Sequence, residues 1–374
     1  MAGIYIHIPY CKQKCIYCDF YFRTNQSDKS QMIKCIKEEL KIRKDYLQEN
    51  ISSIYFGGGT PSILNEKEII DIINTLYKNY KVDGNVEITL ECNPDDLNKH
   101  TLKKLNKTKI NRLSIGVQSF NDEDLILLKR AHNRKKAISS IKTAQDLGFQ
   151  NITIDLIYGI PNQDTKKWAK NLEQLTKLNL PHFSAYSLTV EPNTELHHLI
   201  KTKKVIATSD ELIVEQFNYL INTAEDNNFI HYEISNFSKK GFFSNHNTSY
   251  WENKSYLGIG PSAHSFNKIS RSFNIASNKK YISGILSNSP YIETEKLTLN
   301  QQYNEYILTS LRTISGVDQT YIEEKFGTKK SKYFISQIEK WTAQKKIKLQ
   351  KGKYLLTNKG KLYADAISSD LFVV

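Results

Sequence analysis

Short β-rich runs alternate with amphipathic helical stretches from the start of the chain to about residue 190. The predicted strands are Ile4–Ile8, Ser53–Phe56, Val86–Glu91, Arg112–Gly116, Ile152–Tyr158 and Phe183–Leu188. The predicted helices between them are Ser30–Tyr46, Glu66–Tyr80, Asp122–Arg130, Lys135–Leu147 and Thr165–Leu178. This alternation indicates an α/β fold with a parallel sheet wrapped by helices. Six units are too few for a closed eight-stranded barrel, so we predict a partial (β/α)6 TIM-like barrel with its functional groups at the carboxyl ends of the strands.

The remainder of the chain divides into two further regions. Residues 191–299 are less regular and are predicted to extend the barrel of residues 1–190. Residues 300–374 contain two helical stretches, Gln302–Thr313 and Thr328–Gln344, followed by a hairpin with arms Ile347–Gln350 and Tyr354–Thr357. Helices followed by a hairpin predict a C-terminal α+β region that resembles a winged helix.

The formal net charge is +13 over 374 residues, which raises the question of nucleic-acid binding. The lysines are scattered over helix faces in a sequence rich in Lys, Asn and Ile, so we expect no nucleic-acid partner. The sequence has no apolar run of the length that a transmembrane helix needs, and its start lacks the pattern of a signal peptide. We therefore expect a cytoplasmic protein without a transmembrane segment.

Three of the five cysteines lie within eight residues, directly after the first predicted strand: Cys11, Cys15 and Cys18. Thiolates are the usual ligands of iron–sulfur clusters, and three of them on one loop can bind three irons of a cube and leave the fourth iron open. Structural zinc requires four protein ligands, and no fourth Cys or His stands at the usual spacing nearby. The spacing therefore predicts a [4Fe–4S] cluster with an open iron.

Glycines and polar residues stand at the ends of the next strands. Gly57, Gly58 and Gly59 precede Thr60 after the second strand, and glycines allow the backbone to approach a ligand closely. The other members of this set are Glu91, Gln118 and Asp155. A charge within the apolar strand of Asp155 requires a partner, and Arg130 is the expected one. Each residue alone could be an ordinary strand-end group, but together they predict a cofactor pocket around the barrel mouth.

The Cys-x3-Cys-x2-Cys loop resembles the signature of the radical S-adenosylmethionine (SAM) superfamily. In that superfamily the open iron binds the amino and carboxylate groups of the cofactor's methionine part. The resemblance implies that a set of residues contacts SAM: Tyr5, Tyr17, Gly57, Gly58, Gly59, Thr60, Glu91, Gln118, Arg130 and Asp155. Among these, Tyr17, which lies inside the cysteine loop, is the weaker candidate.

Within the superfamily the chain resembles the anaerobic coproporphyrinogen III oxidase group over nearly its whole length. Matching stretches are Tyr5–Cys11, Gly57–Pro61, Gly116–Phe120 and Asp155–Pro161. The oxidases have a Gly-Cys pair after the third cluster cysteine, whereas Asp19 and Phe20 follow it here. They also have an N-terminal extension that helps to enclose the porphyrinogen, which we expect this chain to lack.

In both respects the chain resembles the haem-chaperone members of the group, which share a His-Asn-x-x-Tyr-Trp motif. The motif is present as His246–Trp251, and the resemblance implies haem binding by His246, Tyr250 and Trp251. An imidazole nitrogen is a common ligand of haem iron, and aromatic rings offer flat surfaces to a macrocycle. His231 and His264 are further candidates, for which we expect structural roles.

The sequence-based interpretation is a haem chaperone that carries a [4Fe–4S] cluster with bound SAM. Its expected partners are haem and haem-acceptor proteins, among them respiratory haem proteins. The sequence leaves open whether the chain forms a homodimer. The alternative is an oxygen-independent coproporphyrinogen III oxidase, a radical SAM enzyme that decarboxylates its substrate oxidatively. Whether the chain is an enzyme stays undecided at this level, and no catalytic residue is assigned.

Overall fold

The computed structural model describes residues 1–373 and contains the predicted parallel sheet. Six strands run parallel and pair in sequence order. They are β1 (Ala2–Ile8), β2 (Ile51–Gly58), β3 (Val82–Cys92), β4 (Arg112–Gln118), β5 (Asn151–Tyr158) and β6 (His182–Ser187). Each contains most of the strand predicted for it. Because all six point the same way, their carboxyl ends form one rim, and the functional groups lie there.

The helices that connect these strands cover the outer face of the sheet. They are α1 (Lys29–Ile42), α2 (Glu66–Asn79), α3 (Lys99–Leu105), α4 (Asp122–Leu127), α5 (Arg134–Asp146) and α6 (Thr165–Lys177), with a 3-10 turn at Pro61–Ile63. Asn65 caps the N-terminus of α2 with a capping box. Its side chain accepts a hydrogen bond from the backbone amide of Glu68, and the Glu68 side chain accepts one from the backbone amide of Asn65. Helix α3 was not predicted, because it has seven residues and buries only Leu102 and Leu105.

Residues 191–299 extend the same sheet at both edges. Strands β7 (Ile230–Glu233) and β8 (Asn236–Ser238) join beyond β6, while β9 (Tyr256–Ile259) pairs in parallel with β1. Beyond β9 lie β10 (His264–Phe266), β11 (Ser270–Asn274) and β12 (Ile292–Lys296), which brings the sheet to twelve strands. The helices of this region are α7 (Glu195–Lys201), α8 (Asp210–Asp226), α9 (Asn245–Trp251) and α10 (Asn278–Ser287). The predicted barrel extension is therefore a continuation of the sheet itself.

The C-terminal region has its own hydrophobic cluster, which runs from Tyr303 to Leu371. Its elements are α11 (Leu299–Leu311), β13 (Val317–Asp318), α12 (Gln319–Phe326), α13 (Thr328–Ala343), β14 (Ile347–Gln350), β15 (Lys353–Leu356), α14 (Asn358–Lys361) and α15 (Ala364–Asp370). Lys351 and Gly352 both have positive φ, as a two-residue hairpin turn between β14 and β15 requires. These five helices and a three-stranded antiparallel sheet form the predicted α+β region, which resembles a winged helix. In residues 1–373 no helix is both long and apolar enough to cross a bilayer.

Candidate functional site

The cysteine loop leaves β1 and lies across the carboxyl rim of the sheet. Ile16 packs into a small apolar cluster that includes Leu128 and Leu196. Its backbone also holds the loop, because the Ile16 amide donates to the Leu128 carbonyl (3.4 Å) and its carbonyl accepts from the Leu196 amide (2.9 Å). The loop therefore has fixed anchors between its cysteines without forming a helix or strand.

All three cysteine thiols line one cavity of about 530 Å³, here called the first cavity. Predicted SAM-contacting residues also line it: Tyr17, Gly58, Gly59, Thr60, Glu91, Gln118, Arg130 and Asp155. The structure thus brings eight of the ten predicted residues to the three thiols. Tyr5 and Gly57 lie beside the cavity, and Tyr5 lines a neighbouring one.

A hydrogen-bond network connects two of the thiols through a residue that sequence reasoning missed. Thr60 donates to Cys11 Sγ (3.3 Å), and Asn93 Nδ2 donates to Thr60 Oγ1 (3.2 Å). Asn93 Oδ1 accepts from Arg130 Nη2 (2.7 Å), while Arg130 Nη1 donates to Cys15 Sγ (3.3 Å). Asn93 directly follows β3, and its place two residues after Glu91 was the one available signal.

The glycine run allows the cysteine loop to lie against the second strand. A Cβ on Gly59 would be 2.5 Å from the Tyr10 carbonyl oxygen, and one on Gly58, which has φ of +104°, would overlap the His7 ring. Gly57 leaves room for the rings of Tyr5 and Tyr55. The run therefore serves the packing of β1 and its loop as well as exposing backbone to the first cavity.

Glu91 lies in the first cavity as a carboxyl that holds its proton at neutral pH. Burial raises its pKa to about 8; the hydrogen bond from Tyr55 (2.7 Å) lowers it, and the charge of Asp155 raises it. A carboxyl in this state can both donate to and accept from a hydroxyl group. Such a group suits the ribose contact implied for it.

Gln118 occupies a strained position at the end of β4. Its φ is +67°, a conformation that is uncommon for residues other than glycine, and the β4–β5 register shifts between Gly116 and Gln118. The Gln118 amide lies over Gly116, where a Cβ would be 3.0 Å from Nε2. Strain of this kind is concentrated at ligand sites, and here it turns Gln118 toward the first cavity.

Asp155 has more partners than the one predicted. Burial raises the pKa of Asp155, while hydrogen bonding from Ser184, the charge of Arg112, a bond from Ser114 (3.4 Å) and the charge of Arg130 lower it. Arg130, the expected partner, acts on Asp155 through its charge, and its hydrogen bonds go to the Gly116 carbonyl (2.8 Å), Asn93 and Cys15. Arg112 was missed because it begins its strand inside an apolar run, where sequence alone gives no sign that its side chain reaches the cavity.

The first cavity offers the chemistry that a [4Fe–4S] cluster and SAM need. The three thiols are spread around it, and among residues 1–373 no His, Cys, Asp and Glu side chains converge in a group of three on a single-ion site. Burial raises the pKa of Cys11 to about 12, so binding iron must displace a proton from this thiol. The Nε atoms of Arg112 and Arg130 are buried without a hydrogen-bond acceptor in the described residues, although Arg112 Nε forms an ion pair with Glu87 Oε2 at 4.0 Å. Guanidinium donors of this kind suit an anionic group such as a carboxylate.

A second cavity, of about 620 Å³, adjoins the first and shares Phe20, Gly58 and Glu91 with it. Tyr250 and Trp251 of the His-Asn-x-x-Tyr-Trp motif line its wall. Both cavities thus meet at one boundary on the rim of the sheet. Phe20, which directly follows Asp19, is 73% exposed at that boundary.

His246 lies behind this wall rather than in it. Its side chain is 1% exposed, and its two ring nitrogens are hydrogen-bonded to Ser53 Oγ and Tyr250 OH, both at 2.9 Å. The ring stacks on Tyr55 with 4.8 Å between centroids. Both nitrogens are engaged, so the iron-binding role expected for His246 does not match its position, which instead fixes Tyr250.

Comparison with known proteins places this geometry in a family. The Radical SAM superfamily pattern matches residues 5–180. The haem chaperone HemW of Bacillus subtilis is 33% identical over 371 residues, covering 98% of both chains. HemW of Lactococcus lactis is 32% identical and covers 95% of this chain and 93% of its own. The chain belongs to the HemW family. Because HemW proteins are radical SAM proteins, this membership confirms the predicted [4Fe–4S] and SAM cofactors.

A solved structure supports the fold of this HemW-family chain independently. Coproporphyrinogen III oxidase (HemN) from Escherichia coli superposes with a TM-score of 0.86 at 22% identity, covering all of this chain and 90% of its own. At that identity the likeness concerns the fold alone. It confirms the predicted α/β fold with its partial barrel, and the superposition includes the C-terminal region.

Proposed function

We propose that this protein is a haem chaperone that binds haem and transfers it to acceptor proteins while carrying a [4Fe–4S] cluster with bound SAM. Nearly full-length similarity to the HemW chaperones carries this proposal. The second cavity supports it, because Tyr250 and Trp251 line a space next to the proposed cluster site. Aromatic walls of this kind suit a flat, largely apolar macrocycle.

Cys11, Cys15 and Cys18 are the proposed ligands of the cluster. Thr60 and Arg130 donate to two of these sulfurs, and such donors stabilise the thiolate form. When bound, the cluster supplies one-electron chemistry and an open iron for SAM. Arg130 and Arg112 offer donors to a carboxylate, while Glu91 and Gln118 offer polar groups to the rest of SAM.

The proposed acceptors are haem proteins, with respiratory ones as the first class to examine, and the proposed location is the cytoplasm. Residues 300–374 contain 13 Lys and Arg against 7 Asp and Glu, and the basic residues are spread over the helices and the hairpin of the C-terminal region. A negatively charged acceptor surface would be attracted to such a region without any nucleic acid being involved. We also propose a homodimer, which a measurement of the oligomeric state in solution tests.

One anaerobic preparation tests the chaperone against the oxidase. We expect the reconstituted protein to give a saturable haem absorbance change and to decarboxylate no coproporphyrinogen III in the presence of reductant and SAM. Haem should move to an apo-acceptor added in excess, as followed by the acceptor's own spectrum. Turnover of coproporphyrinogen without haem binding would contradict the chaperone and establish the oxidase.

A further inference from the structure

The second cavity has the size and the lining of a site for a planar aromatic ligand. Its volume of about 620 Å³ falls within the roughly 300–1,000 Å³ of typical small-molecule sites. Tyr250 contacts Tyr256 edge-to-face at 4.5 Å between centroids, and Tyr256 lies 6.0 Å from Phe266. Trp251 adds a further ring to this apolar wall.

Three histidines lie in or next to this cavity, and two of them already use both ring nitrogens. His246 bonds Ser53 and Tyr250, as described above. His7 bonds the Tyr21 carbonyl (2.9 Å) and the Tyr5 hydroxyl (3.2 Å). His264 lines the cavity, is exposed, and has no hydrogen bond to its ring nitrogens from any residue between 1 and 373. Its imidazole is therefore free to bind a metal.

The loop between β9 and β10 holds His264 at this position. A Cβ on Gly258 would be 2.1 Å from the His264 carbonyl oxygen, and one on Gly260 would be 2.5 Å from that of His7. Both glycines are thus required for His264 and the end of β1 to lie so close together.

The strand alternation turns the His264 side chain toward the cavity. Ser265, the next residue of β10, points to the buried side, where it accepts from Arg43 (3.2 Å) and from the Gly258 amide (2.9 Å). Successive side chains of a strand point to opposite faces, so His264 faces away from this network. Arg43 in turn pairs with Glu39, whose carboxylate accepts a hydrogen bond from the Gly260 amide (2.8 Å).

The electrostatics of the cavity favour a neutral imidazole and an anionic ligand edge. Burial lowers the pKa of His264, and the charge of Arg271 lowers it further, so the ring is unprotonated at neutral pH. Arg271 also lines the cavity and stacks over Phe266 at 5.6 Å. Its guanidinium, which is paired with Glu305, has further N–H groups for a propionate.

We propose that haem binds in the second cavity with His264 as the ligand of its iron, and that His246 is a positioning residue that holds Tyr250. This inference rests on the proposed function and specifies its binding site. The macrocycle lies against Tyr250 and Trp251, and its propionate edge meets Arg271. Because Phe20, Gly58 and Glu91 belong to both cavities, the bound haem is adjacent to the SAM site.

The test compares the haem spectra and affinities of the wild-type protein and four variants. We expect His264→Ala to weaken haem binding by at least tenfold and to lose the imidazole-ligated spectrum, which added free imidazole restores. His264→Cys should instead give a thiolate-ligated spectrum, a change that a wall residue would not cause. His198→Ala, at an exposed position on α7, is the matched control and should behave like the wild type.

His246→Ala distinguishes the two histidines. We expect it to lower the affinity while leaving the imidazole-ligated spectrum intact. If the wild type binds haem and both His264 variants keep its affinity and spectrum, the inference is wrong and the chaperone proposal stands. If the wild type binds no haem, the proposed function fails and takes the inference with it.

Discussion

Replacing Glu91 with glutamine should remove a large pH dependence from the stability of the cofactor-free protein. Burial raises the pKa of this carboxyl from an ordinary 4.5 to about 8. Between these values the unfolded chain releases the proton while the folded protein retains it, so rising pH favours unfolding. The stability linked to Glu91 is therefore fully present below pH 4.5 and lost as the pH rises through 8.

The size of the effect follows from that interval. A rise from 4.5 to about 8 corresponds to at most about 5 kcal/mol of unfolding free energy. Glu91 lines an open cavity, where solvent screens part of this, so we expect roughly 2–3 kcal/mol. Glutamine retains an oxygen that can accept from Tyr55, which keeps the local packing while removing the charge.

The assay is urea denaturation of the wild type and Glu91→Gln at intervals from pH 5 to pH 9. The difference in unfolding free energy between them isolates Glu91 from the other titrating groups, and the variant should gain on the wild type as the pH rises. Glu324→Gln, at an exposed position on α12, should show no such trend. Parallel loss of stability in the wild type and Glu91→Gln would refute the reasoning.

Three further predictions concern the cluster ligands, the glycine run and the network beneath His264. Replacing Cys11, Cys15 or Cys18 with Ser should sharply reduce the iron and sulfide content after reconstitution, whereas Cys35→Ala, inside α1, should leave both unchanged; equal loss in all four would contradict the assignment. Gly59→Ala should destabilise the fold by about 1–3 kcal/mol in thermal unfolding, and Gly84→Ala, whose added Cβ meets nothing within 4 Å, should have little effect. Arg43→Met should lower the free energy of unfolding in urea by about 3–5 kcal/mol, because it leaves the buried Glu39 carboxylate without its cationic partner. Adding Glu39→Gln should recover part of this loss. A double variant no more stable than Arg43→Met alone would contradict the pairing.

The six parallel strands were predictable because each is a short apolar run that ends at a distinctive polar or glycine residue. Strand β5 illustrates this, since its buried Ile152, Ile154, Leu156 and Ile157 are followed by Tyr158 and then by Gly159. Strands β7 to β12 were not individually predicted. They have three to five residues each and mix polar with apolar positions, so their pairing depends on sheet edges that the parallel strands provide.

The site was predictable where a residue's type and its place at a strand end coincide, as they do for Glu91 and Gln118. Residues whose roles depend on distant partners were not. Asn93 joins Thr60 to Arg130, which lie 33 residues before it and 37 after it. The expectation for His246 likewise followed its neighbours in sequence, whereas Ser53, 193 residues away, occupies one of its nitrogens.

The shared boundary at Phe20 has a thermodynamic consequence for cargo and cofactor. If SAM and haem bind in the two cavities as proposed, both contact Phe20, and each ligand alters the free energy of the other's binding whenever this side chain adjusts to one of them. Reciprocity then requires that SAM change the haem dissociation constant by the same factor by which haem changes that of SAM. A Phe20→Ala substitution would bring this shared factor toward one. SAM would then no longer change the haem dissociation constant, and haem would no longer change that of SAM.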